Sequence, residues 1–293
     1  MSGFSDTWLR LREPVDAASR DRGLVASLQR RLGQPIHVID LATGTAANLR
    51  YLSPLLGRSQ TWQLIDHDQA LLDAIPMRLS EWSRARGSML HDIDDGLRIE
   101  GPDFGCEVRY QCRDLARDLA ALDVPRGSLV TAAALLDLVS GPWLAALAEH
   151  CRAACARVLF TLTYNGEIRV DPPDPEDALV LTLVNRHQST DKGFGPALGP
   201  AAAARAVELF EHCGYHVETA QSDWRLGPQD RQLQRALLEG WIAAAIEMAP
   251  EQAGVLGHWA ERRNEQVASG RATFVVGHTD LVGWPLFDAQ SRG

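Results

Sequence analysis

Apolar positions along this chain alternate between a helical rhythm and a strand rhythm, and the switches between them mark out its elements. Residues 1–33 place Leu9, Val15, Leu24, Leu28 and Leu32 near helical spacing, with Pro14 expected to break the run. Residues 36–41 form a short β-rich apolar stretch ending in a turn of small residues, and a helix over 46–56 follows. A second strand at 61–65 ends at Asp66, and a helix over 68–86 carries Leu71, Leu72, Ile75 and Leu79 on one face. The polar, Gly- and Asp-rich residues 87–105 read as a linker before a strand at 107–111. Strands at 128–133 and 157–163 flank a helix over 142–155.

Strands alternating with helices of this length predict an α/β protein with a doubly wound, mostly parallel sheet. Its strand C-termini would share one edge, where ligands bind. After the fifth strand the rhythm changes. Residues 164–199 are rich in Pro and Gly and show no strong helical period, which predicts a long lid. A helix over 200–213 and a strand at 215–219 restore the pattern. A helical insertion over 228–268 precedes a last strand at 273–276, giving seven strands in one domain spanning residues 1–293. Leu233, Leu237, Trp241, Ile242, Ile246 and Trp259 in that insertion read as core packing, as a cover for the site or as a homodimer surface.

Composition narrows the function. The net charge of −9 and the lack of any Lys/Arg run argue against a nucleic-acid partner. Five Cys without paired spacing read as reduced thiols in a cytoplasmic protein, with neither a disulfide framework nor a metal site. No segment approaches the roughly 18 apolar residues of a membrane span. The sequence has no G-x-S-x-G elbow, no H-E-x-x-H helix and no G-x-x-x-x-G-K loop.

The chemistry concentrates at strand ends. Ala42, Gly44 and Ala46 copy the spacing of a G-x-G-x-G turn directly after Asp40, with alanine at two of the three places. Taken alone, that turn is also what any strand-to-helix connection offers. Asp66 closes the next strand, where a carboxylate can accept from both hydroxyls of a ribose. His67 follows it, and Asp114 with Leu115 follows the third strand where an adenine amino group would lie. A nicotinamide dinucleotide enzyme, an NAD(P) oxidoreductase, would use the same ribose acid. Its pyrophosphate needs a glycine where this chain reads Ala46-Ala47-Asn48-Leu49.

The segments VIDLATGTAANLRYL, LIDHDQALL, CRDLA and VTAAALLDLVS, in this order, resemble the motifs of class I S-adenosylmethionine-dependent methyltransferases. The resemblance spans roughly residues 15–220, with the closing strand near 272–277. It implies S-adenosyl-L-methionine as cofactor, with Ala42 and Gly44 along its methionine part, Asp66 on the ribose, and Asp114 and Leu115 at the adenine. Ala133 would lie beside the cofactor after the fourth strand, and Arg20 would meet the methionine carboxylate. A fold of this kind without activity, serving as a binding module, remains an alternative.

A small-molecule acceptor enclosed by the 164–199 segment is the expected substrate. Methyl transfer is an in-line displacement, so alignment matters most, and a hydroxyl or protonated amine also needs a base. His187 titrates near neutrality and suits that role, with Asp137 and Tyr164 as the other candidates. The bland alternatives are a hydrogen-bonded loop histidine, and for Asp137 an acid complementing the dipole of helix 142–155. Lys192, the only lysine, is expected to pair with Asp191, and Asp16 with Arg20 at the surface. Asp171-Pro172-Pro173-Asp174 shares its prolines with a motif of methyltransferases acting on DNA bases. It follows the fifth strand and ends in Asp, so it reads as a stiff loop.

Overall fold

Parallel strands buried on both faces need continuous apolar runs, and the centre of this molecule is built from such strands. The computed structural model describes residues 5–57 and 59–286; residues 1–4 of the expected N-terminal cap, Arg58 and residues 287–293 lie outside the described residues. The strands are β1 (Ile36–Leu41), β2 (Ser59–Asp66), β3 (Met89–Ile93), β4 (Gly96–Glu100), β5 (Gly105–Cys112), β6 (Leu129–Ala133), β7 (Arg157–Asp171), β8 (Tyr215–Gln221), β9 (Trp224–Leu226) and β10 (Thr273–Pro285). They form one sheet in the order β3-β4-β5-β2-β1-β6-β7-β10-β8, with β9 paired to β10 off that path. From β5 to β7 every neighbouring pair is parallel. β10 runs antiparallel to both β7 and β8. The chain leaves β1 towards β2 and later returns to β1's other side with β6, which makes the C-terminal end of β1 the topological switch point.

Ten strands are present among the described residues, where seven were expected. The residues 87–105 read as a linker fold into the β3–β4 hairpin and reach β5 antiparallel. Leu97 and Ile99 alternate inward there, a two-residue signal too short to stand out among the aspartates. Gly96 holds φ 138°, and a Cβ on it would come 2.1 Å from the Val108 carbonyl oxygen, so only glycine fits the hairpin.

The helices are α1 (Asp6–Ser19), α2 (Arg22–Gln29), α3 (Ala47–Leu56), α4 (Gln69–Asp73), α5 (Ile75–Arg86), α6 (Leu115–Asp118), α7 (Gly141–Ala153), α8 (Asp177–Gln188), α9 (Ala202–His212), α10 (Arg231–Met248) and α11 (Ala253–Ala268). Pro14 lies inside α1 instead of breaking it; the chain turns at Arg20, and Asp21 caps α2 by accepting from Leu24 N at 2.8 Å. Trp8, Leu11 and Val15 pack against the third core cluster, and that burial offsets the bond proline removes. The expected helix over 68–86 divides at Ala74, ahead of Pro76.

The segment expected as a lid is mostly regular structure. β7 continues to Asp171 because Ile168 and Val170 lie opposite Val276 and Phe274 of β10. α8 then buries Val180, Leu183 and Val184. The stiff loop between them is clamped to α11: Asp174 takes a two-pronged bond from Arg262 (2.7 and 2.9 Å), and the fully buried Arg263 bonds Asp177 and the Pro172 carbonyl. The Arg262 bond, outweighing burial, holds the Asp174 carboxyl well below the usual range. Leu233, Leu237, Trp241 and Trp259 of the insertion are buried within this chain as part of the third cluster. Among the described residues no helix is long and apolar enough to cross a membrane.

Candidate active site

The turn after β1 sits at the switch point and is held from below by buried polar groups. Asp40 is fully buried and accepts from Thr43 Oγ1 (2.6 Å) and Asn48 Nδ2 (2.7 Å). Burial pushes its carboxyl up to about 6 against these bonds. Asn48 also donates to Thr131 Oγ1 at 3.1 Å and accepts from Arg20 Nη1 at 2.8 Å. Arg20 therefore braces the underside of the turn through Asn48, and its expected surface pairing with Asp16 is not formed. Asp16 instead bonds Arg12 (2.8 and 3.2 Å), one turn earlier on α1.

The small residues of the turn have a backbone reason as well as a steric one. Ala42, Gly44 and Ala46 have φ of 51°, 55° and 65°, so all three adopt the left-handed conformation. Alanine bears that geometry at a cost of roughly 1–2 kcal/mol each. Gly44 is the position that also lacks room: a Cβ there would lie 3.0 Å from Leu9 Cδ1 of α1, which crosses the turn.

Asp66 ends β2 facing this turn. One carboxylate oxygen accepts from Gly44 N (2.8 Å) and the other from Asp68 N (3.0 Å), which fixes its orientation. Each oxygen keeps a further lone pair. The His67 ring is exposed beside it, with Nδ1 3.5 Å from Asp66 Oδ1. Asp114 caps α6 by accepting from Ala116 N (3.0 Å), while its second oxygen is half exposed and 3.4 Å from Arg117. Leu115 is buried behind it, and its carbonyl accepts from Trp143 Nε1 at 2.8 Å. Ala133 ends β6 and Ala134 turns left-handed at φ 54°, so the backbone leaves the sheet just short of Asp137. Asp40, Ala42, Gly44, Asp66, His67, Asp114, Leu115 and Ala133 thus all fall at the C-terminal ends of β1, β2, β5 and β6. The donor set fits an adenosyl group: two acids at strand ends, a small-residue turn, and no glycine nest for a pyrophosphate.

Beside this edge lies a buried polar cluster that sequence reasoning captured in part. Asp137 and Tyr164 lie together in it. Burial pushes the Asp137 carboxyl up to about 6, against the pull of the backbone N–H groups of Asp137 and Tyr164 and of Arg12. Tyr164 OH donates to Asn185 Oδ1 of α8 at 2.7 Å. Four further residues complete the cluster: Trp8 and Arg12 from α1, Trp224 from β9, and His278 from β10. The Arg12 guanidinium lies 5.0 Å over the Trp224 ring, which is 4.9 Å from the His278 ring, itself 6.3 Å from Tyr164. Burial first, then Arg12, brings the His278 imidazole down to about 3, so it is neutral at physiological pH. Trp8 Nε1, Asp137 Oδ1 and His278 Nδ1 are buried without a hydrogen-bond partner. Buried polar atoms are nearly always satisfied, and three orphans around one cation are what a polar ligand would complete.

His187 is not part of this cluster. It lies at the end of α8, two residues from Asn185 and so on the other side of the helix. Its Nε2 is 3.4 Å from Glu247 of α10 and its Nδ1 3.4 Å from Lys192 Nζ. Burial and the Lys192 charge, opposed by Glu247, lower its pKa. Lys192 donates to Thr190 Oγ1 (2.9 Å) and does not pair with Asp191, which instead accepts from Gly193 and Gly195 N–H groups.

Strand order, the left-handed turn and the acids at the strand ends define a class I S-adenosylmethionine-dependent methyltransferase fold. One of the solved structures the chain resembles supports this fold. A cyclopropane-fatty-acyl-phospholipid synthase-like protein from Lactobacillus casei superposes with a TM-score of 0.53 at 13% identity, covering 96% of this chain and 95% of that one. A methyltransferase from Geobacter sulfurreducens in complex with S-adenosyl-L-homocysteine gives 0.43 at 13% identity over 94% of this chain and 98% of its own. A phosphoethanolamine N-methyltransferase from Haemonchus contortus gives 0.45 at 12% identity over 97% of this chain, which spans 58% of that protein's length. No protein-family model and no curated protein sequence matches the chain.

Proposed function

We propose that this protein is an S-adenosyl-L-methionine-dependent methyltransferase that acts on a small molecule at an oxygen or nitrogen atom. The cofactor supplies a methyl group made electrophilic by its sulfonium. Ala42 and Gly44 would let it approach the β1 turn, Asp66 would accept from its ribose hydroxyls, and Asp114 and Leu115 would meet its adenine. The three orphaned atoms around Arg12, three residues along α1 from the Leu9 that crosses the turn, are the observation that carries the acceptor half of this reading.

Asp137 is the proton acceptor in this scheme. A carboxyl near 6 is ionised at neutral pH yet basic enough to take a proton from a hydroxyl or ammonium as it becomes nucleophilic. The neutral His278 ring and Trp8 Nε1 would bond the acceptor's other polar groups, and Tyr164, pinned by Asn185, keeps the wall in place. Arg12, Asp137, Tyr164, Trp224 and His278 are buried, which would exclude water from the transferring methyl.

The deciding experiment is calorimetric titration with S-adenosylmethionine and S-adenosylhomocysteine, NAD+ and NADP+ serving as controls. Micromolar binding of the adenosyl ligands is expected, weakened at least tenfold in Asp66→Asn and Asp66→Ala, with no heat from the nicotinamide cofactors. No adenosyl binding to folded protein would overturn the enzyme reading in favour of a binding module.

A further inference from the structure

A groove of about 400 Å³ runs along the outer side of α3, and the scheme above does not use it. Its lining extends from Ala47 at the start of α3 to Leu55 and Arg86 in the last turns of α3 and α5. It therefore leads away from the strand edge that holds Asp66 and Asp114. The volume is within the range of small-molecule sites.

Its charges do not cancel. Glu13 in the wall is taken by Arg50 (2.7 Å to each oxygen) and by Arg78 (3.1 Å). Asp16 is taken by Arg12. Three cations of the lining remain: Arg20, Arg22 and Arg86 form no ion pair among the described residues. Arg20 is 6% exposed, donates to the neutral Asn48 amide, and leaves Nε buried without a partner. The Asp16, Asp280 and Asp40 carboxylates favour the Arg20 charge from a distance, but none pairs with it, so Nε is an unused donor in the cavity wall that an anion in the groove would satisfy. Two rings stand beside these cations, Tyr51 4.6 Å from Arg20 and Trp82 5.5 Å from Arg86. Cations paired with ring faces suit a flat anion, which can bond in the guanidinium plane and stack.

We propose that this groove is a binding site for a small organic anion with an aromatic ring, separate from the cofactor site. Arg20 ties it to catalysis, because the same guanidinium holds Asn48 and through it Asp40 under the cofactor turn. An anion drawing on Arg20 changes the affinity of the turn for its own ligand, and by linkage the reverse effect has the same factor.

The test uses phenyl phosphate as probe, with inorganic phosphate and phenol as the anion-only and ring-only controls, by calorimetry on the full chain. Phenyl phosphate is expected to bind at least tenfold more tightly than either control. Arg22→Gln/Arg86→Gln, both exposed positions, should lose at least tenfold while keeping the wild-type melting temperature. Titrations repeated at rising S-adenosylhomocysteine separate coupling from competition: an apparent Kd that shifts to a plateau supports a separate, coupled site, an unchanged one overturns the coupling through Arg20, and one that rises without limit puts the probe in the cofactor cleft. Absence of probe binding, equal binding in the double variant, or unlimited competition would each overturn the proposal. If S-adenosylhomocysteine fails to bind at all, the arginine variants still decide this site while the methyltransferase reading falls on its own.

Discussion

Asp137→Asn should stabilise the protein while disabling it. The ordinary value for an aspartate carboxyl is 3.8, and burial takes Asp137 to about 6. A raised value means the folded state holds the proton more tightly than the unfolded chain. Folded stability from this group is complete below pH 3.8 and lost as pH rises towards 6. At about 1.36 kcal/mol per pH unit, the ionised form costs about 3 kcal/mol at neutral pH. Asparagine removes that penalty but leaves amide donors in the orphaned position, costing about 1 kcal/mol. The variant should match wild type near pH 4.5 and exceed it by about 2 kcal/mol at pH 7.5. Unfolding entropy of about 2.1 cal/mol/K per residue makes that about 3 °C for 293 residues. Thermal scans at both pH values measure it. Methyl transfer to any acceptor identified should fall at least a hundredfold in the same variant. A gap that does not change with pH, or a variant less stable at pH 7.5, would refute the claim that Asp137 is an ionised, unsatisfied acid held for function.

Other consequences are as direct. Ala42→Gly releases left-handed strain of roughly 1–2 kcal/mol against an unfolded-state cost of about 0.4–1 kcal/mol, so a melting temperature about 1 °C higher is expected. Ala46→Gly has the same backbone gain but surrenders a fully buried methyl worth about 0.8 kcal/mol, and should leave stability nearly unchanged. Arg263→Met removes the cation from Asp177, which keeps only Trp259 Nε1 and the Asp174 N–H, and takes the Arg263 bond from the Pro172 carbonyl; a loss of about 3 kcal/mol, near 5 °C by thermal scan, is expected. His187→Gln should keep kcat within twofold of wild type in steady-state assays, since His187 answers to Lys192 and Glu247 and not to the buried cluster around Arg12.

What could be read in the sequence follows from where the physical signals are local. β1, β2, β6 and the start of β7 are buried on both faces, so their apolar runs announce them, and the acids at their ends can be located by counting. The β3–β4 hairpin and the continuation of β7 are half-exposed; Leu97, Ile99, Ile168 and Val170 are each separated by polar residues that read equally well as loop. α8 was hidden by its flanking prolines and glycines, although Leu179, Val180, Leu183 and Val184 keep helical spacing.

The buried cluster around Arg12 lies beyond any local pattern. Asp137 follows β6 and Tyr164 lies in β7 just beyond its parallel pairing with β6, and the topology rule places both at the same edge. Arg12, Trp224 and His278 come from an N-terminal helix and from strands formed late in the chain; the Trp224–Asp16 bond alone joins residues 208 apart. The same limit applies to His187. Titratable, set among glycines and beside the only lysine, it had the right chemistry in the right segment. The rotation of α8 decides instead: Asn185 is turned to Tyr164, and the side chain two positions on is carried away from it, to Glu247. Residue type can nominate a base, but which face of a helix it occupies settles whether it reaches the reacting atom.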